Sequence, residues 1–346
     1  MYLGKCEGLD CAVSPSAPNS SVLITGQSGS GKSCRQNQIE LAEVQSGNTV
    51  IVLDVSQNHN EKDIFSPISY EYKQHLNRID AAKDGIGINL LSPISNQQGQ
   101  SESYVNLVNS NVYAFSSARR MGVGQQAILR EAIEMAIASK NKNQNLSDEA
   151  ALRMAFSEKK KNTKWQVVYQ RLWTVLNCGV LRSGEKHTLG QEINILDLSG
   201  LDILSAETVA EAVLSYFWRM AYNQGFPKDF GKVTIVVDEF QHLSVKAYSA
   251  LSMILREGRK FGLSIILTTQ SLNIFSDAEL SMIKQAATHL CFRPADNELT
   301  QVAKMIDPSK KEYWRNKFSG LKRGQCLGVG SLDVNGNFIQ HPLLLT

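Results

Sequence analysis

The residues with the clearest chemical signal form the run Gly26-Gln-Ser-Gly-Ser-Gly-Lys-Ser33, which matches the spacing G-x-x-x-x-G-K-[ST] in full. An apolar segment precedes the run and a plausible helix follows it. The glycines let the backbone wind around phosphates, while the lysine and the last hydroxyl suit the β- and γ-phosphates and Mg²⁺. The run predicts ATP and Mg²⁺ binding, with Ser33 as a metal ligand, by Gly26, Ser28, Gly29, Ser30, Gly31, Lys32 and Ser33.

A second motif, Val233-Thr-Ile-Val-Val-Asp-Glu239, places two acids at the carboxyl end of an apolar strand. We expect Asp238 to hold Mg²⁺ and Glu239 to orient or deprotonate the attacking water. Acids are also favoured at the start of a helix, where the helix dipole stabilises them. Because both motifs lie at strand ends, one shared site explains them better than a helix start does. The adjacent acids favour hydrolysis over phosphoryl transfer to another acceptor.

Two further strand ends should face the same crevice. The strand of residues 49–54 ends on Asp54, which we place among the nucleotide-binding residues, in contact with water or with a neighbouring subunit. The strand of residues 263–268 is followed by Gln270, which we expect to sense the γ-phosphate. The alternative for Gln270 is a polar cap that is satisfied locally.

A basic segment, Leu255-Arg-Glu-Gly-Arg-Lys-Phe-Gly262, precedes that same strand. Arg259 or Arg256, delivered from a neighbouring subunit, would neutralise the transition state of phosphoryl transfer. An exposed basic turn paired with nearby acids explains the residues equally well.

Short apolar segments that position these residues recur along the chain, with helical stretches between them. This pattern predicts an α/β fold with a mainly parallel sheet buried between helices. The predicted strands cover residues 21–25, 49–54, 193–198, 233–238, 263–268 and 289–292.

The stretch between the second and third strands has no convincing strand pattern. We therefore expect residues 96–190 to form an inserted all-α subdomain, with helices over 125–139, 148–158 and 165–177. Seven Lys or Arg stand against three acids in residues 140–164. This excess indicates either a solvated face or a nucleic-acid contact.

The core of the protein would then be discontinuous, with a first part in residues 1–95 and a second part in residues 191–346. Asn335-Gly336 is a turn signal between two apolar stretches, so a C-terminal β-hairpin should be added to the parallel sheet.

Composition narrows the class of protein only modestly. The net charge is +3 and charged residues make up 20%, which is ordinary for a globular enzyme. The sequence contains no apolar run long enough for a membrane span, no signal-peptide pattern and no CxxC pair. We expect a cytoplasmic protein without membrane insertion or a zinc site.

These segments together resemble the HerA/FtsK superfamily of ring-forming P-loop ATPases, in its HerA-like, DUF87-type branch related to conjugative secretion ATPases. The most specific parts are Asp238-Glu-Phe-Gln-His242 and Glu257-Gly-Arg-Lys-Phe-Gly262, which continues to Thr269-Gln270. Further similarity lies in the phosphate loop, in Val52-Leu-Asp54 with the later His59, in Gly87-Ile-Asn-Leu-Leu-Ser-Pro93 and in Ile195-Leu-Asp-Leu-Ser-Gly200.

The resemblance implies a RecA-like core that assembles into a homo-hexamer with ATP between subunits. Arg259 would then act in trans, with Arg256 as the substitute. The inserted region is similar in placement to the α-helical domain of conjugative ATPases. Archaeal HerA carries an N-terminal β-barrel domain, for which only about twenty residues are present before the first core strand here.

Two functions follow from this reasoning. The first is a ring-forming ATPase that translocates or unwinds DNA. The second is an ATPase subunit that acts on protein, either with an effector nuclease in a defence system or in a secretion or conjugation apparatus. A GTP switch is disfavoured because the sequence has no N-K-x-D guanine motif.

Overall fold

The computed structural model describes residues 1–56, 59, 64, 66–96, 98–182, 189–226 and 228–346. Its strands are β1 (Tyr2–Cys6), β2 (Leu9–Val13), β3 (Val22–Thr25), β4 (Thr49–Asp54), β5 (Leu76–Asp80), β6 (Ile193–Asp197), β7 (Val233–Val237), β8 (Leu263–Thr269), β9 (Thr288–Phe292), β10 (Cys326–Gly330), β11 (Leu332–Val334), β12 (Asn337–Ile339) and β13 (Leu343–Leu345). Its α-helices are α1 (Lys32–Gln45), α2 (Ser69–Gln74), α3 (Ala81–Asp84), α4 (Tyr104–Ala118), α5 (Val123–Lys142), α6 (Asp148–Glu158), α7 (Thr163–Leu172), α8 (Ile203–Asn223), α9 (Ala250–Glu257), α10 (Asp277–Ile283), α11 (Leu299–Ile306) and α12 (Lys311–Ser319). Within the described ranges, every helix is too short or too polar to cross a membrane.

The main sheet has the strand order β13-β10-β9-β3-β8-β7-β4-β6-β5. The strands from β9 to β5 run parallel, whereas β10 and β13 are antiparallel to their neighbours. The central strands β3, β4, β7 and β8 are buried along their whole length, because α1 covers one face and α8 and α9 cover the other. The predicted α/β class is confirmed, and each predicted strand is present within one residue of its bounds.

Strand β5 was not predicted. It pairs with β6 and is the last strand of the sheet among the described residues, and Asn77 and Arg78 interrupt its apolar pattern. An edge strand of this kind carries too little periodic signal to be recognised from the sequence.

An antiparallel pair of C-terminal strands, β10 and β13, is added to the parallel strands as predicted, but the two strands that flank the turn at Asn335 and Gly336 are not part of it. Strands β11 and β12 pair with each other, and β11 pairs with β2 in a separate sheet ordered β1-β2-β11-β12. The chain leaves the main sheet at Gly330, which has a φ of 109° and where a Cβ would lie 2.2 Å from the carbonyl oxygen of Ala287. The chain therefore passes from β10, in the main sheet, to β11, in the small one, across Gly330 and Ser331.

The inserted stretch contains α4 to α7, and its described residues include no strand beyond one bridge between Ser95 and Ser101. Helix α6 has its predicted bounds, α5 is longer at both ends, and α7 ends at Leu172 rather than at residue 177. Apolar residues of these helices join α8 and one face of the sheet in a continuous core. The division into three parts stays a prediction.

The basic segment of residues 140–164 is not uniformly solvated. Lys140 is 6% exposed, and its Nζ lies 2.5 Å from Oδ1 of Asp148. Oδ2 of the same Asp148 accepts a hydrogen bond from the backbone N–H of Leu90 at 2.6 Å. This lysine therefore has a structural role, anchoring the segment that resembles a HerA element.

Candidate active site

The loop of residues 26–33 joins the end of β3 to the start of α1. Gly26, Gly29 and Gly31 have φ values of 147°, 75° and 108°, which side chains rarely permit. A Cβ on Gly31 would also lie 2.8 Å from the backbone of Gly324. These glycines let the loop curve into a phosphate cradle ahead of the positive end of α1.

Two segments outside the motif hold this loop. The backbone N–H of Gln27 donates to the carbonyl oxygen of Arg293 at 2.9 Å, and the N–H of Gly324 donates to the carbonyl oxygen of Ser30 at 2.8 Å. Sequence reasoning missed Arg293 and Gly324, because backbone contacts between segments so distant along the chain leave no local pattern.

The polar side chains of the loop have different surroundings. The hydroxyl of Ser30 donates to the carbonyl oxygen of Gln27 at 2.8 Å, whereas Ser28 and Ser33 are exposed. Lys32 is 7% exposed and donates to that same carbonyl at 3.1 Å. Ser33, in the first turn of α1, presents a free surface to a ligand at the loop.

The acidic pair follows β7, which is the second neighbour of β3 in the sheet. Burial lowers the pKa of Lys32, and the carboxylates of Glu239 and Asp238 oppose this shift. The two motifs predicted from the sequence therefore meet at one edge of the sheet. The hydroxyl of Ser56, just beyond β4, donates to Oδ2 of Asp238 at 3.4 Å.

Glu239 has an unusual backbone conformation and a well-defined side chain. Its φ of 53° and ψ of 51° lie in the left-handed region, which costs free energy for a residue with a Cβ and is typical of functional sites. Nε2 of Gln270 donates to Oε1 at 2.6 Å, and Nε2 of Gln241 donates to Oε2 at 2.7 Å. Gln270 thus contacts the catalytic candidate directly, and Gln241 is a contact that sequence reasoning missed.

Asp54 lies in a buried polar network behind this edge of the sheet. Its Oδ2 accepts the backbone N–H of His59 at 3.3 Å and lies 3.7 Å from Nη2 of Arg78. Burial lowers the pKa of His59, but the neighbouring carboxylate of Glu40 and, with a smaller effect, that of Asp54 act against burial. Together they raise the pKa of His59 to about 9. The contacts of Asp54 are structural in character, and a direct role in binding the nucleotide stays a prediction.

The two candidate arginines lie far from the loop of their own chain. Arg259 belongs to a short 3₁₀ segment just before β8, whereas the phosphate loop follows the end of β3. Because β3 and β8 run parallel, this segment lies at the amino ends of the strands and the loop at their carboxyl ends. The guanidinium of Arg259 donates to the carbonyl oxygens of Ala17 and, at 3.0 Å, Pro15. Arg256 donates to the carbonyl oxygen of Ala247 at 2.7 Å.

The residues that the fold brings together fit a nucleoside triphosphate with Mg²⁺. The loop offers backbone N–H groups and the charge of Lys32, and Ser33 and Asp238 offer the oxygen ligands that Mg²⁺ prefers. A bound Mg²⁺ would neutralise charge on the phosphates, and the carboxylate of Glu239 would serve as the proton-accepting group.

The chain has a phosphate loop after one strand and an acidic pair after another strand of a parallel sheet that lies between helices. This arrangement defines a P-loop NTPase. The chain belongs to the AAA-like domain family, whose family model matches residues 12–333. The relationship inferred from the motifs is thereby confirmed.

Two curated relatives match part of the chain. It is 23% identical over 212 residues to the DNA double-strand break repair helicase HerA of Sulfurisphaera tokodaii, covering 55% of this chain and 39% of that protein. It is 26% identical over 171 residues to the same-named protein of Sulfolobus acidocaldarius, covering 44% of this chain and 31% of that one. The chain thus spans well under half the length of these relatives.

Solved structures of low sequence identity share the fold. VirB4 of Thermoanaerobacter pseudethanolicus superposes with a TM-score of 0.73 at 17% identity, covering 100% of this chain and 95% of that one. The plasmid coupling protein TrwB, bound to the ATP analogue ADPNP, has a TM-score of 0.61 at 12% identity, covering 95% and 85%. TrwB with ADP and Mg²⁺ has a TM-score of 0.54 at 13% identity, covering 94% and 84%.

Proposed function

We propose that this chain is an ATPase that forms a ring, binds ATP and Mg²⁺ at its subunit interfaces and uses hydrolysis to translocate or unwind DNA. The observation that carries hydrolysis is the arrangement of Glu239, whose two carboxylate oxygens are held by amides beside Asp238 and Lys32. A carboxylate fixed in this way orients water for attack on a phosphate. The TrwB complexes with an ATP analogue and with ADP and Mg²⁺ support the choice of ligands.

The positions of the arginines support a site shared between copies of the chain. Arg259 and Arg256 lie beyond reach of their own phosphate loop, at the opposite edge of the sheet. A head-to-tail ring in which that end of one subunit meets the loop of the next would bring these arginines to the neighbour's phosphates. A guanidinium delivered there stabilises the charge that develops in the transition state.

DNA as the substrate is favoured by the two HerA relatives, whose names describe helicases of DNA double-strand break repair. The test is the rate of ATP hydrolysis with and without duplex and single-stranded DNA at low salt, with Glu239→Gln as the background control. We expect stimulation that declines steeply as salt is added, because phosphate contacts release counterions. A rate that stays flat with both forms of DNA would refute the DNA motor.

The alternative is an ATPase subunit that acts on protein, in a defence, secretion or conjugation complex. A groove of about 850 Å³ between α6 and α7 favours it, because aromatic rings line the groove. Phe156 packs against Trp165 and Tyr169 at centroid distances of 5.7 and 5.5 Å, and Phe156 and Trp165 are each 4% exposed, so these two rings are not open for base stacking. Co-purification of a partner protein, together with an ATPase rate that DNA leaves unchanged, would support this alternative.

A further inference from the structure

The side chain of Gln241 has two polar contacts that orient its amide. Its Nε2 donates to Oε2 of Glu239 at 2.7 Å, and its Oε1 lies 3.0 Å from the hydroxyl of Thr269. Thr269 is fully buried at the end of β8, and Gln270, the next residue, donates to the other oxygen of Glu239 at 2.6 Å. Both carboxylate oxygens are therefore tied to one strand end, one directly and one through Gln241.

This strand end is adjacent to the phosphate loop. In the parallel pairing of β3 with β8, Thr269 is the partner of Thr25, the residue before Gly26. Three hydrogen bonds thus couple the Glu239 carboxylate to the end of β8, and the backbone of β8 pairs with the residue that precedes the loop.

The backbone around Gln241 is held by contacts other than its own side chain. The ring of Phe240 stacks on Phe275 at a centroid distance of 5.0 Å. Nδ1 of His242 lies 2.9 Å from Oε1 of Glu207 on α8. Removal of the Gln241 side chain should leave this turn folded, so its amide can be tested separately from the fold.

We propose that Gln241 is a positioning residue for hydrolysis, which together with Gln270 sets the orientation of the Glu239 carboxylate toward the attacking water. A carboxylate with one hydrogen bond to each oxygen keeps a lone pair on each for water, but loses its rotational freedom. A misplaced catalytic group reacts far more slowly than an aligned one. The inference rests on the hydrolysis part of the proposed function and not on what the ring moves.

The experiment compares Gln241→Ala with wild type in basal ATP hydrolysis, without nucleic acid. We expect kcat to fall by about tenfold to a hundredfold, with KM for ATP and the affinity for a non-hydrolysable ATP analogue unchanged. Gln45→Ala is the matched control, because Gln45 is exposed and its Nε2 donates to Oε1 of Glu71, away from the loop. The thermal midpoint should be the same in all three proteins.

Gln241→Glu separates positioning from a purely structural role. A glutamate at this position donates a hydrogen bond only when it is protonated, so its kcat relative to wild type should rise as the pH falls. The same ratio for Gln241→Ala should be independent of pH. A wild-type kcat in Gln241→Ala, or a pH-independent ratio in Gln241→Glu, would overturn the proposal.

Glu239→Gln distinguishes failure of this inference from failure of the proposed function. An inactive Glu239→Gln with a fully active Gln241→Ala refutes only the role of Gln241. An active Glu239→Gln refutes the hydrolytic assignment and the proposal with it.

Discussion

Arg259 offers the sharpest test of a site built from two copies of the chain. Strand β8 has seven residues, which corresponds to about 20 Å between the Arg259 segment and the edge that carries the phosphate loop. One arginine side chain does not span that distance, so any catalytic action of Arg259 is on a neighbour. Because a trans-acting arginine contributes about 10³–10⁵ to the rate, Arg259→Ala should abolish measurable hydrolysis while nucleotide affinity is retained.

The decisive assay mixes two inactive proteins, Arg259→Ala and Glu239→Gln, and measures ATP hydrolysis. A competent interface needs an intact Glu239 on one subunit and an intact Arg259 on the next. With equal amounts and random assembly, about one interface in four meets that condition, so the mixture should recover about a quarter of the wild-type rate. Mass photometry of the same samples establishes whether mixed rings have formed.

No recovery in samples that contain mixed rings would refute the shared site. Lys260→Ala is the matched control, since Lys260 is adjacent and exposed, and its Nζ lies 3.4 Å from Oε2 of Glu257. Arg259 also bonds to two backbone carbonyls of its own chain, so thermal unfolding must show that Arg259→Ala remains folded. If Arg259→Ala retains full activity, the same mixing assay applies to Arg256→Ala.

Three further predictions concern binding and stability. Lys32→Ala should weaken nucleotide binding by about tenfold or more, because it removes the charge facing the phosphates; titration with a fluorescent ATP analogue measures this, and an unchanged affinity would contradict it. Arg219→Met should lower the free energy of unfolding by about 3–5 kcal/mol in urea denaturation, since it leaves the fully buried carboxylate of Glu102 without its cation. Adding Glu102→Leu should restore much of that loss, and no recovery would argue against an unpaired charge as the cause. Burial raises the pKa of Glu211 from its ordinary 4.5 to about 7, so the folded state binds the proton more tightly, and stability should fall as the pH rises from 4.5 to 7. Glu211→Gln should remove this pH dependence in thermal unfolding, and an unchanged slope would exclude Glu211 as its source.

The central strands could be predicted because they are buried on both faces. Burial from both sides demands an uninterrupted apolar run, as in β4 and β7, and such a run is visible without knowledge of its neighbours. Edge and surface strands lack that constraint. For this reason β5 and the small sheet of β1, β2, β11 and β12 were not predicted, although the turn at Asn335 and Gly336 was.

The phosphate loop and the acidic pair could also be predicted from local sequence. The loop needs glycine where φ is positive. The acidic pair comes directly after the buried apolar strand β7, so it lies at the carboxyl end of that strand. The contacts of Arg259 with residues 15 and 17 could not be predicted, since they join segments more than two hundred residues apart.

The amino-acid sequence by itself determined the phosphate loop, the acidic pair and the mainly parallel sheet, because each depends on residue types within a few positions of one another. Tertiary structure alone decided which groups hold Glu239 and where Arg259 lies relative to the loop. Hydrogen bonds such as those of Gln241 with Glu239 and Thr269 depend on the pairing of distant strands. That pairing arises from packing of the whole chain, and no local pattern encodes it.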